Sequence, residues 1–314
     1  MGLEPVRPWR VLPYHGAELL STGRSCMARI LDLEQPARVH VPFFTCDCLL
    51  TPMLERGIEV RYYRVDDDLL PETLPTPGER ELVVLIDYFG VRTHAVRDRA
   101  IAIGPQAVID STHAFFSGAP PAGHHGFNSA RKFRGVPDGA FLFLKDTHPA
   151  GPLRPCTTVH ADHLVLRALG SGPEVAEANR MNEARLSTAM IGASILTRHL
   201  LHRLDHEEAR AARNRNFHAA HEALSSMNLL RLNDTAMDGP LCYPLLMPHA
   251  VDLKPIHGAG IFAARYWPDV LVRAGGTEFP EDVARSKRLI AFPIDQRYSA
   301  EQTQERAWQM ARML

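Results

Sequence analysis

Short, continuous apolar runs alternate with helix-like segments along the first half of the chain. Between the runs, His15–Leu33 predicts the start of a helix followed by an amphipathic stretch, and Thr45–Arg56 predicts a helix that Gly57 ends. Continuous apolar strands separated by helices indicate a parallel or mixed sheet covered on both faces. Five runs are predicted strands: Arg38–Val41, Glu59–Tyr63, Glu81–Ile86, Ala107–Ile109 and Phe141–Leu144.

The second half has a different pattern. It is helical from Glu174 to about Leu224, and then mixes short strands with helices. The predicted strands there are Leu241–Leu246 and Leu289–Phe292, and the predicted helices are Pro280–Arg288 and Ala300–Met313. The sequence therefore predicts an α/β fold: a large α/β/α domain over residues 12–195 with a mixed, mostly parallel sheet, and a small C-terminal α+β domain over residues 196–314.

Composition narrows the class of protein. Hydrophobic residues make up 45% of the chain and charged residues 23%, and the net charge is −1. These values are typical of a globular protein and give no electrostatic footprint for nucleic acid or an anionic membrane. The N-terminus lacks an apolar signal core, and no apolar run is long enough to span a bilayer. Five irregularly spaced cysteines argue against a disulfide framework, so we expect a reducing, cytoplasmic environment.

One acid and one lysine carry the candidate chemistry. Asp110 ends the apolar run Ala107–Ile109, and Lys132 lies in a short turn before the strand Phe141–Leu144. A strand-end acid followed by a lysine in a turn suits pyridoxal 5′-phosphate (PLP). The lysine forms a Schiff base with the aldehyde, and the acid keeps the pyridine nitrogen protonated. Taken singly, a solvated lysine and a turn-capping acid are the ordinary interpretations.

A phosphate-bearing cofactor also needs an anion site. In Ser21–Met27, Gly23 permits a tight turn, and Arg24 and Ser25 open a helix whose free N–H groups and positive dipole end suit a phosphate. Ser129 is a further candidate phosphate ligand. A plain helix N-cap is the alternative for the first segment.

Two ring-bearing residues are candidates for contact with the pyridine ring. Phe44 follows a predicted strand and is the candidate for stacking on the ring face, with core packing as the alternative. His113 is the candidate hydrogen-bond partner of the ring's phenolic oxygen, with a structural role as the alternative. Gly123–Gly126 is interpreted as a loop at the mouth of the site, with a plain turn as the alternative. No metal site is predicted, and Cys46-Asp47-Cys48 is too closely spaced for a Cys-x-x-Cys motif.

In the segments that contain these candidate residues, the chain resembles the DegT/StrS-type aminotransferases, which are fold-type I PLP enzymes. The most specific matches are the blocks around Asp110 and Lys132. The resemblance runs discontinuously from about Tyr14 to Tyr298. Its matching stretches are Ser21–Met27, Val41–Thr45 with Gly57–Val60, Val108–Ala114, Ser129–Gly139, Arg213–Asn216 and Pro293–Tyr298.

The resemblance implies a fold-type I enzyme that transfers an amino group from a donor such as glutamate to a keto acceptor, including nucleotide-linked keto sugars. It also implies a homodimer with each active site at the subunit interface. An asparagine from the partner chain usually reaches the phosphate there, and Asn182 is the nearest match. Relatives that perform dehydration have histidine in place of the lysine, so Lys132 favours transamination. Another PLP reaction, or a non-catalytic binding or regulatory role, is the alternative.

Overall fold

The computed structural model describes residues 8, 10–146, 153–154, 156–170, 173–233 and 237–314. These ranges contain nine strands and ten α-helices. The strands are β1 (Glu18–Leu20), β2 (Arg38–Pro42), β3 (Glu59–Tyr63), β4 (Glu81–Ile86), β5 (Ala107–Ser111), β6 (His125–Asn128), β7 (Ala140–Phe143), β8 (Cys242–Leu246) and β9 (Leu289–Pro293). The helices are α1 (Gly23–Glu34), α2 (Asp47–Leu54), α3 (Thr93–Ile103), α4 (Asp162–Ala168), α5 (Pro173–Arg185), α6 (Ile195–Leu201), α7 (His206–Leu224), α8 (Lys254–Gly258), α9 (Pro280–Arg288) and α10 (Ala300–Ala311).

Seven strands form one mixed sheet in the order β1-β7-β6-β5-β4-β2-β3. The five strands from β6 to β3 are parallel, whereas β7 runs antiparallel to both of its neighbours. Alternate residues of β4 enter different cores: Val83 and Leu85 pack with α3 residues, and Val84 packs in the largest apolar cluster. Because both faces of this strand are buried, its sequence is continuously apolar, as predicted for a covered sheet.

A second, two-stranded antiparallel sheet joins β8 and β9 in the C-terminal part of the chain. Helices α7 and α10 pack together beside it. The Asn216 side chain on α7 donates to the backbone carbonyls of Ile294 and Asp295, at 3.2 and 3.1 Å, and so ties this helix to the end of β9. Within the described ranges, no helix is long and apolar enough to cross a membrane.

Three local predictions are wrong. Residues Glu18–Leu20, assigned to the helical stretch His15–Leu33, form the edge strand β1, because they pair with β7. The predicted loop Gly123–Gly126 runs into β6, an interior strand whose His125 is fully buried against Glu34 on α1, at 2.9 Å. The long helical pattern after Glu174 divides into three helices, and the side chains of Ser194 and Asp205 cap α6 and α7. The boundary between residues 195 and 196 stays a prediction.

Candidate active site

A cavity of about 430 Å³ opens at the carboxyl-terminal edge of the parallel strands. Asp110 and Thr112 reach it from the end of β5, Ser129 from the end of β6, and Cys46 from the segment after β2. Lys132 lines the same cavity from the turn between β6 and β7. In open α/β sheets, ligands bind at this edge, because several strands deliver side chains there at once.

Asp110 and Lys132, 22 positions apart in the sequence, are brought together with Thr112 between them. The Thr112 N–H donates to Asp110 Oδ1 at 2.8 Å, and Lys132 Nζ lies 3.5 Å from Thr112 Oγ1. Burial raises the pKa of Asp110, against the opposing effect of the Lys132 charge. Burial also lowers the pKa of Lys132, against the opposing charge of Asp110. A buried amine with a lowered pKa is a better nucleophile and base near neutral pH than an ordinary lysine.

Asp138 anchors the turn that carries Lys132. Its carboxylate accepts hydrogen bonds from the Ser194 backbone N–H and hydroxyl, each at 2.9 Å, and from the Thr197 hydroxyl. The next residue, Gly139, has φ = 109° and accepts at its carbonyl from the Ala130 N–H at 2.9 Å. A Cβ at Gly139 would lie 2.8 Å from a methyl carbon of Thr197. The turn therefore depends on glycine for its backbone conformation and for the space against α6.

The first turn of α1 forms the opposite wall. Thr22 caps this helix by accepting from the Ser25 N–H at 2.9 Å, and Thr22, Gly23 and Arg24 line the cavity. A Cβ at Gly23 would approach the Thr112 methyl to 3.3 Å. The missing side chain leaves the helix N-terminus open toward the cavity, where unpaired N–H groups favour an anion.

Five of the predicted site residues line this cavity: Gly23, Arg24, Asp110, Ser129 and Lys132. The other four, Ser25, Phe44, His113 and Asn182, are not among the described residues that line the cavity. Ser25 is fully buried and serves the α1 cap. Phe44 is fully buried beside Tyr88, at 5.7 Å between ring centroids, as the core-packing alternative anticipated. Their proposed contacts with a cofactor stay predictions.

Asn182 and His113 are the remaining two. The Asn182 side chain donates to the Pro137 carbonyl of its own chain at 3.2 Å and lines a neighbouring cavity. The His113 ring stacks between Phe89 and Trp267, at 5.3 and 5.4 Å between ring centroids. Both His113 ring nitrogens are buried and lack a hydrogen-bond partner among the described residues. Burial, aided by the Lys132 charge, lowers the pKa of His113 well below its usual value, so the ring is neutral.

Sequence reasoning missed several residues of the lining. Asn179 and Glu183 reach the cavity from α5, and Tyr266 and Trp267 reach it from the segment before α9. Glu183 Oε2 pairs with Arg131, beside the lysine, at 2.9 Å. The adjacent aromatic pair Tyr266-Trp267 was the available signal, but nothing in the local pattern shows that it packs against the first half of the chain.

The overall architecture matches solved aminotransferases. A DegT DnrJ EryC1 StrS aminotransferase from Brucella abortus is 18% identical, with 96% of this chain and 86% of that chain covered and a TM-score of 0.65. The sugar aminotransferase CalS13 from Micromonospora echinospora is 15% identical, with 95% and 87% covered and a TM-score of 0.64. A Streptococcus pneumoniae protein solved in a PMP form is 12% identical, with 95% and 86% covered and a TM-score of 0.65.

At these identities the similarity concerns the fold. The predicted fold class, a large mixed α/β sheet domain with a small α+β part as in fold-type I aminotransferases, is confirmed. No protein-family model and no curated protein sequence matches the chain.

Proposed function

We propose that this protein is a PLP-dependent aminotransferase. The observation that carries the proposal is the meeting of Lys132, Asp110 and the open N-terminus of α1 around one cavity of about 430 Å³. An amine, a buried acid and an anion site are the three groups that this cofactor requires of a protein. The shared fold with solved aminotransferases supports the same assignment.

The residues present suit the cofactor's shape and charge. The space left by Gly23, whose Cβ would approach Thr112, accommodates a phosphate at the α1 terminus. The buried carboxylate of Asp110 offers a hydrogen-bonding group in the same cavity. The unpartnered nitrogens of His113 belong to a ring that stacks on Trp267, which lines that cavity. When bound, PLP supplies an electron sink that lowers the barrier to removing a proton from the donor's Cα.

Lys132 is proposed to hold the cofactor and then to carry the proton. Its burial favours the neutral amine, which would accept a proton from the donor's Cα and deliver it to the C4′ carbon of the cofactor. Thr112, 3.5 Å from Nζ, orients the amine when it is free. Asp110 is proposed to face the ring nitrogen, where a buried carboxylate stabilises the protonated form by a charge-assisted hydrogen bond.

The substrates are proposed at the level of chemical class. Glutamate is the proposed amino donor, and a keto compound, including a nucleotide-linked keto sugar, is the proposed acceptor. Support comes from the fold shared with the sugar aminotransferase CalS13 and from the aromatic wall of Tyr266 and Trp267, which offers apolar ring faces to a substrate. A cytoplasmic location is part of the proposal, and the five free cysteines support it.

We include a homodimer in the proposal. Exposed apolar side chains cluster in the segment from α4 to α6, next to the α5 residues that line the cavity: Val165, Leu169, Met181, Met190 and Ile195. Exposed apolar groups of this kind mark interaction surfaces. Light scattering on the purified chain tests the assembly: a mass of two chains is expected, and a monomer at working concentration contradicts it.

The assignment of Lys132 is tested by reducing its Schiff base with the cofactor to a stable bond. The PLP-loaded protein is reduced with borohydride, digested and examined by mass spectrometry, with Lys254→Arg on the exposed α8 as the matched control. The expected result is a pyridoxyl group on the Lys132 peptide in both the wild type and the control. Attachment at Lys145, Lys254 or Lys287, the only other lysines, contradicts the assignment.

A further inference from the structure

Two cysteines stand side by side in the wall of the cavity. Cys46 precedes α2 and Cys48 lies in its first turn, and both line the space that Lys132 faces. The intervening Asp47 turns away, and Arg273 Nη2 pairs with its carboxylate at 2.6 Å. The two thiols therefore share one side of the segment, with Cys48 exposed and Cys46 partly exposed.

Cys48 has the surroundings of a reactive thiolate. Arg24 Nη2 donates to Cys48 Sγ at 2.8 Å. A hydrogen bond from the Cys46 thiol, followed by the Arg24 contact, lowers the pKa of Cys48 well below its usual value. Cationic partners and a helix N-terminus are the features that separate reactive cysteines from inert ones.

Cys46 and Cys48 are also close enough along the chain to form a disulfide. Residues two apart in a chain have Cα atoms at most about 7 Å apart, which overlaps the range of roughly 4.4–6.8 Å that a disulfide spans. The ring closed by such a bond is small and strained, and strained disulfides are readily reduced. A bond of this kind is reversible in a reducing compartment, where disulfides are transient and redox-sensing.

We propose that Cys46 and Cys48 form a reversible dithiol–disulfide site, oxidised by low-molecular-weight disulfides, in the wall of the candidate active site. The Cys48 thiolate attacks one sulfur of oxidised glutathione, forms a mixed disulfide and releases one glutathione thiolate. Cys46 then loses its proton to solvent and attacks the Cys48 sulfur, which releases the second thiolate. Two protein thiols become one disulfide, and the small disulfide is reduced to two thiols.

Oxidation changes the cavity in two ways. It removes the sulfur anion that Arg24 contacts, and it removes the thiol proton that Cys46 donates to that anion. The predicted consequence for turnover rests on the proposed function: oxidised protein should lose activity and regain it with a reductant. The thiol chemistry itself needs no cofactor, so its test can fail or succeed independently of the aminotransferase assignment.

The test uses the full-length reduced protein and oxidised glutathione. Trypsin releases both cysteines in one peptide, residues 39–56, that contains no other cysteine. In the wild type this peptide should lose two hydrogens and carry no glutathione. The Cys46→Ser variant should stop at a glutathione adduct on Cys48, and the Cys48→Ser variant should react little. A glutathione adduct that persists in the wild type as it does in Cys46→Ser overturns the proposal.

Alkylation rates supply the second measurement. Cys156, whose thiol donates to the Thr158 carbonyl at 3.1 Å, is the internal reference. At pH 6, Cys48 should react with iodoacetamide at least about tenfold faster than Cys156, and Arg24→Gln should reduce that ratio. Equal rates for the two cysteines overturn the proposal.

Discussion

Replacing Asp110 with asparagine tests the electrostatics of the site. The change keeps the shape and an acceptor for the Thr112 N–H, which lies 2.8 Å from Oδ1, but removes the charge. Asp110 is only 5% exposed, so water cannot substitute for it. Removing one partner of a buried ion pair costs about 3–5 kcal/mol. If that pair forms between Asp110 and the protonated ring nitrogen, the rate of amino transfer should fall by about two to four orders of magnitude.

The assay follows the pre-steady-state reaction of the PLP-loaded protein with glutamate, for the wild type and Asp110→Asn. Urea unfolding of both proteins without cofactor is the control. Because burial raises the pKa of this carboxyl, a neutral asparagine should leave the free energy of unfolding near pH 7 unchanged or higher. A loss of less than about tenfold in a stably folded variant would refute the placement of Asp110 against the ring nitrogen.

Three further changes test the fold around the site. Burial raises the pKa of Asp87 from 3.8 to about 6, so its contribution to stability is present below pH 4 and is lost as pH rises through 6. Between pH 4 and pH 7, the free energy of unfolding of Asp87→Asn, measured in urea, should therefore rise by about 3 kcal/mol relative to that of the wild type. The same pH dependence of stability in both proteins would argue against this. Gly139→Ala should lower the free energy of unfolding by at least about 1–3 kcal/mol through backbone strain and contact with Thr197; an unchanged melting temperature contradicts it. Arg285→Met should cost about 3–5 kcal/mol by leaving buried Asp282 unpaired, whereas adding Asp282→Leu should recover most of the loss.

The covered sheet was predictable because its signal is local. The strands β3 and β4 begin and end where the sequence predicts. For β4 the signal is the unbroken apolar run Leu82–Ile86, as expected of a strand buried on both faces. The edge strand β1 has three residues and owes its conformation to pairing with β7, which no local pattern reveals. The strand β6 was missed because histidine and glycine open it, and His125 is accommodated by a partner, Glu34, that lies 91 positions away.

The candidate site likewise contains residues that could be predicted from the sequence and residues that could not. Asp110 and Lys132 were predictable because each stands at a recognisable end of a strand or turn, and the topology then brings them together. Trp267 and Cys48 were not, because their place in the cavity depends on long-range packing. For Phe44, the position after a strand suggested contact with a ligand, and that contact stays a prediction; in the structure its ring lies beside a buried partner, Tyr88.

The measurement that tests the central claim most directly is the visible absorption spectrum of the purified protein with added PLP, before and after glutamate. The Lys132→Ala variant is the control. The account predicts an absorption band of lysine-bound cofactor in the wild type, no such band in the variant, and conversion of the band to the pyridoxamine form by glutamate. A band in the wild type that glutamate leaves unchanged would contradict transamination with this donor, and the absence of any band would contradict the cofactor assignment.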